Sequence, residues 1–147
     1  MSKFIHLIFK TNLNRNLFFV LLSILIFLLS KNFGMFDDDI LFGSRMGNHL
    51  YNNSIFDWSM PISFDPGHPP FLGTILALFW HIFGHELWVS HFAMIPFTIG
   101  FFIQLHKFIS YFIKETKLQF FAFFLVLADP TLATCLALVT IEIITLF

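Results

Sequence analysis

Long apolar runs separated by short polar breaks constrain this chain more than any other feature. Residues 16–36 carry one charge, Lys31, and a helix of that length covers about 30 Å, the thickness of a bilayer's hydrocarbon core. Residues 87–113 and 118–141 form similar runs, with Pro96 and Gly100 as kink points in the first and a break at Asp129-Pro130 in the second. The pattern predicts an all-α integral membrane protein with three transmembrane helices.

Composition agrees with a membrane protein and excludes some function classes. The chain is 57% hydrophobic and 12% charged, about half the charged fraction of a soluble domain. Eight basic residues against nine acidic ones leave no basic patch, so we do not expect nucleic-acid binding. Cys135 is the only cysteine, which excludes an intrachain disulfide and a cysteine-based metal site.

Residues 37–70 are predicted to form a polar loop that contains its own short helix over 39–51. The next apolar segment, 71–83, is too short to span a bilayer and is better suited to an interfacial helix, with Pro69-Pro70 at its start and Gly84 at its end.

Basic residues orient the chain in the membrane. Lys3, Lys10 and Arg15 precede the first span and predict a cytoplasmic N-terminus, which places the loop outside. Lys114 and Lys117 reach the cytoplasmic side only if 71–83 does not cross. We therefore expect a multi-pass protein of the cell membrane, and the residue usage suggests a bacterial inner membrane.

Because the sequence stops inside an apolar run, residues 1–147 are predicted to be the N-terminal part of one polytopic domain.

The acidic triplet Asp37-Asp38-Asp39 opens the loop at the outer end of the first span. Carboxylates at a membrane surface suit a catalytic base, or a hard-oxygen site for Mg²⁺ or Mn²⁺. The alternative is a solvated helix cap, a position that Asp favours. The whole loop contains five aspartates and one arginine, Arg45, and is therefore strongly acidic.

Other candidates lie at the end of the loop and beyond it. Asp65-Pro66-Gly67-His68-Pro69-Pro70 restricts the backbone around His68, which could donate to a phosphate; the alternative is a rigid turn with an incidental histidine. Glu142 is predicted at the outer end of the third span, level with the loop, where a carboxylate needs a partner or water. Asp129 is predicted to be satisfied at a proline kink.

Three histidines, His81, His85 and His91, raise the possibility of a zinc site. The order His-x-x-x-His-Glu differs from the His-Glu-x-x-His signature of zinc peptidases, and histidines are common at membrane interfaces. Zinc is therefore the minor alternative.

The order of these motifs resembles the N-terminal region of GT-C glycosyltransferases, in the group of protein O-mannosyltransferases and aminoarabinose transferases. Asp38-Asp39-Ile40-Leu41-Phe42 resembles the family's acidic motif after the first span. Gly67-His68-Pro69-Pro70-Phe71-Leu72 matches its loop-end motif, and Phe83-Gly84-His85-Glu86-Leu87-Trp88 resembles a third. Glu142 falls where the family has an Asp.

This resemblance implies an incomplete GT-C fold that moves a sugar from a polyprenyl-phosphate donor to an acceptor at the outer face. Asp38 would be the catalytic base. The resemblance implies a further set of residues that bind substrate or metal: Asp37, Asp39, Arg45, Asp65, His68 and Glu142. If the site holds a divalent cation, Asp38 and Glu142 are its candidate ligands. The rival hypothesis is a non-enzymatic polytopic protein, either a piece of a transporter or an assembly subunit.

Overall fold

A computed structural model describes residues 11–34, 38–59, 61 and 69–146, apart from the side chains of residues 38–40 and 42. Helices account for the regular structure of these ranges, which contain no strand. In chain order they are α1 (Asn12–Ser30), α2 (Asp38–Asn52), α3 (Phe71–Phe83), α4 (Leu87–Phe112), α5 (Thr116–Leu127), α6 (Pro130–Ala137) and α7 (Ile141–Leu146).

Two of the described helices, α1 and α4, are long and apolar enough to cross a membrane, and the bent pair α5–α6 makes a third span if it counts as one. The prediction of an all-α membrane protein is therefore confirmed; of its three predicted spans, two are single long helices, and the third is matched only if the bent pair counts as one span. The helix α4 runs without interruption through Pro96, where a kink was predicted.

The predicted third span, 118–141, differs most from the structure. At Asp129-Pro130 the helix axis turns by 76°, and α6 then ends at Ala137, before Glu142. Asp129 has an extended backbone and its side chain accepts the Leu132 N–H at 2.9 Å, while Pro130 fills the first helical position. Local capping thus starts a new helix here, and Glu142 lies in the separate helix α7.

The first span is shifted toward the N-terminus relative to the predicted 16–36. Thr11 caps α1, because its side chain accepts the Asn14 N–H, and Arg15 donates to Asn12 within the first turn. The helix ends at Ser30, and Lys31 closes it by donating its N–H to the Phe27 carbonyl. The helix therefore begins with a polar turn that precedes the apolar run, which is why the predicted start at residue 16 was too late.

The helices α1 and α4 are antiparallel and form the centre of the molecule. Near the start of α1, the fully buried ring of Phe19 packs 6.0 Å from Phe102 and stacks 5.3 Å from Phe123 of α5. At the other end, His91 Nε2 donates to the Phe33 carbonyl at 3.0 Å. The end of α1 therefore lies beside the beginning of α4.

The helix α3 has apolar side chains all round and occupies the residues of the predicted interfacial helix. Leu72, Leu76 and Trp80 are buried, whereas Leu78 and Ile82 on the other side are exposed. A helix with protein on one face and exposed aliphatic residues on the other fits a position between α2 and lipid.

Glycines allow α2 to approach α3 closely. A Cβ on Gly47 would lie 2.9 Å from the Trp80 ring, and a Cβ on Gly73 would lie 2.9 Å from the Gly47 backbone nitrogen. The contacts advance together along both helices, from Gly43 with Leu72 to Tyr51 with Trp80. The two helices are therefore parallel, and their N-terminal ends lie side by side.

Candidate functional site

The residues of the acidic triplet are divided between helix and undescribed chain. Asp38 and Asp39 are the first two residues of α2, which gives both a place in its first turn. Asp37, Asp65 and His68 lie outside the described residues. Arg45 is exposed on α2, about two turns after Asp38.

The parallel packing of α2 and α3 determines what lies near Asp38 and Asp39. Gly43, about one turn further along α2, contacts Leu72 in the first turn of α3. The acidic start of α2 is therefore next to the start of α3, which directly follows Pro69-Pro70. Asp38 and Asp39 are thus close to Pro69-Pro70, some thirty residues further along the sequence, at one end of a helix pair.

This end of the helix pair is recessed along α4. The Phe71 ring at the start of α3 lies 6.4 Å from Phe97, which is about two turns beyond His91, the residue that contacts the end of α1. The start of α3 is therefore level with Phe97 of α4 and not with the beginning of that helix.

Glu142 lies at the same end of the molecule as α2. It is half-buried in the first turn of α7, and α7 packs against α2, α4 and α6. Leu136 and Leu138, just before α7, line a small cavity together with Ser30 at the end of α1 and His91 near the start of α4. The helices that carry Asp38 and Glu142 are thus direct neighbours.

Carboxylate oxygens are the donors that Mg²⁺ and Mn²⁺ prefer, so Asp38 and Glu142 are chemically suited to hold such an ion. The described side chains contain no cluster of three or more potential metal ligands. The side chain of Asp38 lies outside that description, and the divalent site stays a prediction.

The three histidines do not form the zinc site that was the minor alternative. The imidazoles of His81 and His85 pack against the Tyr51 ring, with centroids 4.6 and 5.0 Å away. His91 is buried and bonded to the Phe33 carbonyl. Packing and a main-chain bond therefore account for these rings.

Sequence reasoning missed this aromatic cluster of Tyr51, Trp80, His81 and His85. Gly84 creates it: its φ of 97° turns the chain so that His85 lies edge-on to Trp80 at 4.2 Å. The Trp80 indole N–H also donates to Ser90 at 3.0 Å, which fixes α3 to α4. Glycine directly after a helix was the available signal, because a left-handed residue there folds the next side chain back.

Two other aspartates have structural partners. Asp129 caps α6, as the interpretation of a satisfied kink residue requires. Asp57 lies in the loop after α2, where the hydroxyl and N–H of Ser59 donate to it. The hydrogen bond from the Ser59 hydroxyl lowers the pKa of Asp57 below its usual value. Both interactions are local turn or cap chemistry.

Comparisons of the chain with protein-family models, with curated proteins and with solved structures give no match. The chemistry of the site must therefore be argued from its own residues.

Proposed function

We propose that this chain belongs to a membrane glycosyltransferase that moves a sugar from a polyprenyl-phosphate donor to an acceptor at the outer face. One observation carries the proposal: the acidic start of α2 lies next to the start of α3, and the neighbouring helix α7 carries Glu142. Carboxylates on adjacent helices at one recessed end of a helix bundle suit a reaction on a membrane-anchored substrate.

In this proposal Asp38 accepts the proton of an acceptor hydroxyl while that oxygen attacks the anomeric carbon of the sugar. The bond from that carbon to the lipid phosphate breaks, and the configuration inverts. Arg45 and His68 interact with the departing phosphate. Pro70 offers no side-chain cap to the first turn of α3, so N–H groups after that of Phe71, which donates to the Pro69 carbonyl, can contribute.

Asp37, Asp39 and Asp65 position the acceptor around this base, and the neighbouring helix α7 contributes Glu142. A divalent cation, when bound, would neutralise phosphate charge, and Asp38 and Glu142 are the residues that would hold it. The spans keep the lipid tail of the donor in the bilayer while its sugar reaches the polar loop. The outside position of that loop is part of the proposal.

One observation favours a second candidate, the non-enzymatic transporter. The α5–α6 pair is bent by 76° at an aspartate, and broken helices with polar groups at the break are typical of transport sites. In this chain, however, the Asp129 carboxylate already caps α6. The transferase is therefore the better supported of the two.

The proposed base can be tested by the substitution Asp38→Asn in the full-length protein, with transfer measured from polyprenyl-phosphate sugars in membrane vesicles. Asn keeps the size and helix-starting character of Asp but cannot accept the proton, so transfer should fall by about 10²–10⁴-fold.

The matched control is Asp57→Asn, which removes the charge of a loop carboxylate that accepts hydrogen bonds from Ser59. Transfer by this variant should equal that of the unaltered protein. If Asp38→Asn retains full transfer, Asp38 is not the base. If both variants lose transfer equally, loop charge in general is responsible.

A further inference from the structure

An apolar groove opens between the end of α1 and the α5–α6 bend. Its volume is about 380 Å³, within the usual range for small-ligand sites. Its lining consists of Ile26, Leu29, Ser30, Phe33, Leu127, Ala133, Leu136 and Ala137. One hydroxyl, Ser30, is the single polar side chain of this lining.

The groove results from the bend and from two small residues. Because α6 leaves the line of α5 by 76° and packs against α1, a gap is left at the bend between Leu127 and the end of α1. Ala133 and Ala137 are four residues apart and share the face of α6 that lines the groove. Small side chains on one wall leave space in front of the larger Leu29 and Phe33 on the other.

The surroundings of the groove determine its occupant. One wall belongs to α1, a candidate span on which Leu29 is 69% exposed and the last turns carry further exposed leucines. At that depth the solvent is hydrocarbon, so lipid chains reach the groove at very high concentration and water does not. Lys31 directly follows Ser30 at the end of α1, so the chain has a cation beside the groove that a lipid phosphate can bind.

We propose that this groove binds one acyl chain of an anionic membrane phospholipid, with the phosphate of that lipid at Lys31. The groove has its own walls, since its lining comes from α1, Phe33, α5 and α6 and includes no residue of α2, α3 or α7, although Ser30 and Leu136 also line the small cavity beside α7. The bound chain fills the space behind the bend and stabilises the angle between α5 and α6.

The test uses the full-length protein in vesicles that contain phosphatidylglycerol with a photoreactive diazirine in its acyl chain. Cross-linked residues are mapped by mass spectrometry. The label should concentrate in residues 26–33 and 127–137, above its level on the exposed side of α1. This measurement requires no substitution, so it decides the question even if a variant fails to fold.

Two tryptophan substitutions fill the groove and a third serves as control. Ala133→Trp and Ala137→Trp should reduce labelling of the two segments by about tenfold, the effect of excluding roughly two methylene groups. Leu28 is at the same level of α1 as the groove but on the opposite, exposed side of the helix, so Leu28→Trp should leave the labelling unchanged. Lys31→Gln should reduce the preference for phosphatidylglycerol over phosphatidylcholine by about fivefold.

Three results would overturn the proposal. Labelling that persists when the groove is filled would place the lipid elsewhere. Displacement of the label by a small fraction of polyprenyl phosphate would identify an isoprenoid occupant instead. Absence of label from both segments would mean that another part of the protein fills the groove. Since the readout is lipid labelling, a failed transferase assay would not affect the result.

Discussion

At the scale of single residues, glycines and helix-capping side chains determine how the described helices are arranged more than the abundant phenylalanines do. Gly47 and Gly73 set the distance between α2 and α3, and Gly84 folds His85 onto the aromatic cluster. The carboxylates of Asp57 and Asp129 are used locally, whereas Asp38, Asp39 and Glu142 lie in the first turns of α2 and α7. In the proposed function this second group acts on the substrate.

The close approach at Gly47 predicts a measurable loss of stability. In Gly47→Ala the new methyl group would lie 2.9 Å from the buried Trp80 ring, so the helices must separate. We expect the free energy of unfolding to fall by about 1–3 kcal/mol, as for other overpacked sites. Thermal unfolding in detergent measures this change. Ser44→Ala on the same helix is the control and should change stability by less than about 0.5 kcal/mol.

At the scale of helices, the elements bounded by strong local signals could be predicted from the sequence. The bounds of α3 follow from Pro69-Pro70 and Gly84, and a break was predicted at Asp129-Pro130. The size of that bend and the parallel pairing of α2 with α3 could not be predicted, because both depend on packing between distant segments. Gly43 and Gly47 held the signal for the pairing, in their spacing of four residues.

Asp129 allows capping to be distinguished from a role of its charge. Asp129→Asn keeps a side-chain oxygen that can accept the Leu132 N–H, whereas Asp129→Ala removes it. We expect the alanine variant to lose about 0.5–2 kcal/mol and to exchange the Leu132 amide hydrogen faster, with little change for asparagine. Hydrogen exchange followed by mass spectrometry measures both. If asparagine and alanine lowered stability and amide protection equally, the negative charge of Asp129 would be the important property, as the transporter hypothesis requires.

At the scale of the whole molecule, the antiparallel α1 and α4 and the returning α5 place α2, α3 and α7 at one end. The apolar runs indicated the spans, and the lysine distribution predicted the orientation. The sequence could not show that α2 and α7 touch, because that contact depends on the bend in the third apolar run. The structure of Asp37, Asp65 and His68 lies outside the described residues, so their part in the site stays a prediction.

The predicted orientation can be tested with single cysteines in a Cys135→Ala background. Ser54→Cys lies in the loop after α2, and Glu115→Cys lies in the short turn between α4 and α5. In intact cells a membrane-impermeant thiol reagent should label the first and not the second, since basic residues flank the α4–α5 turn. Labelling of the second alone would invert the orientation and place the acidic loop inside the cell.

The most direct test of the account is the distance between residues 38 and 142. Spin labels on Asp38→Cys and Glu142→Cys, in the Cys135→Ala background and in lipid nanodiscs, allow pulsed electron paramagnetic resonance to measure it. If both residues border one hollow, the distance should be narrowly distributed and no longer than α2 itself, about 20 Å. A distance of about 30 Å or more, the thickness of the hydrocarbon core, would place the two carboxylates on opposite sides and contradict the shared site.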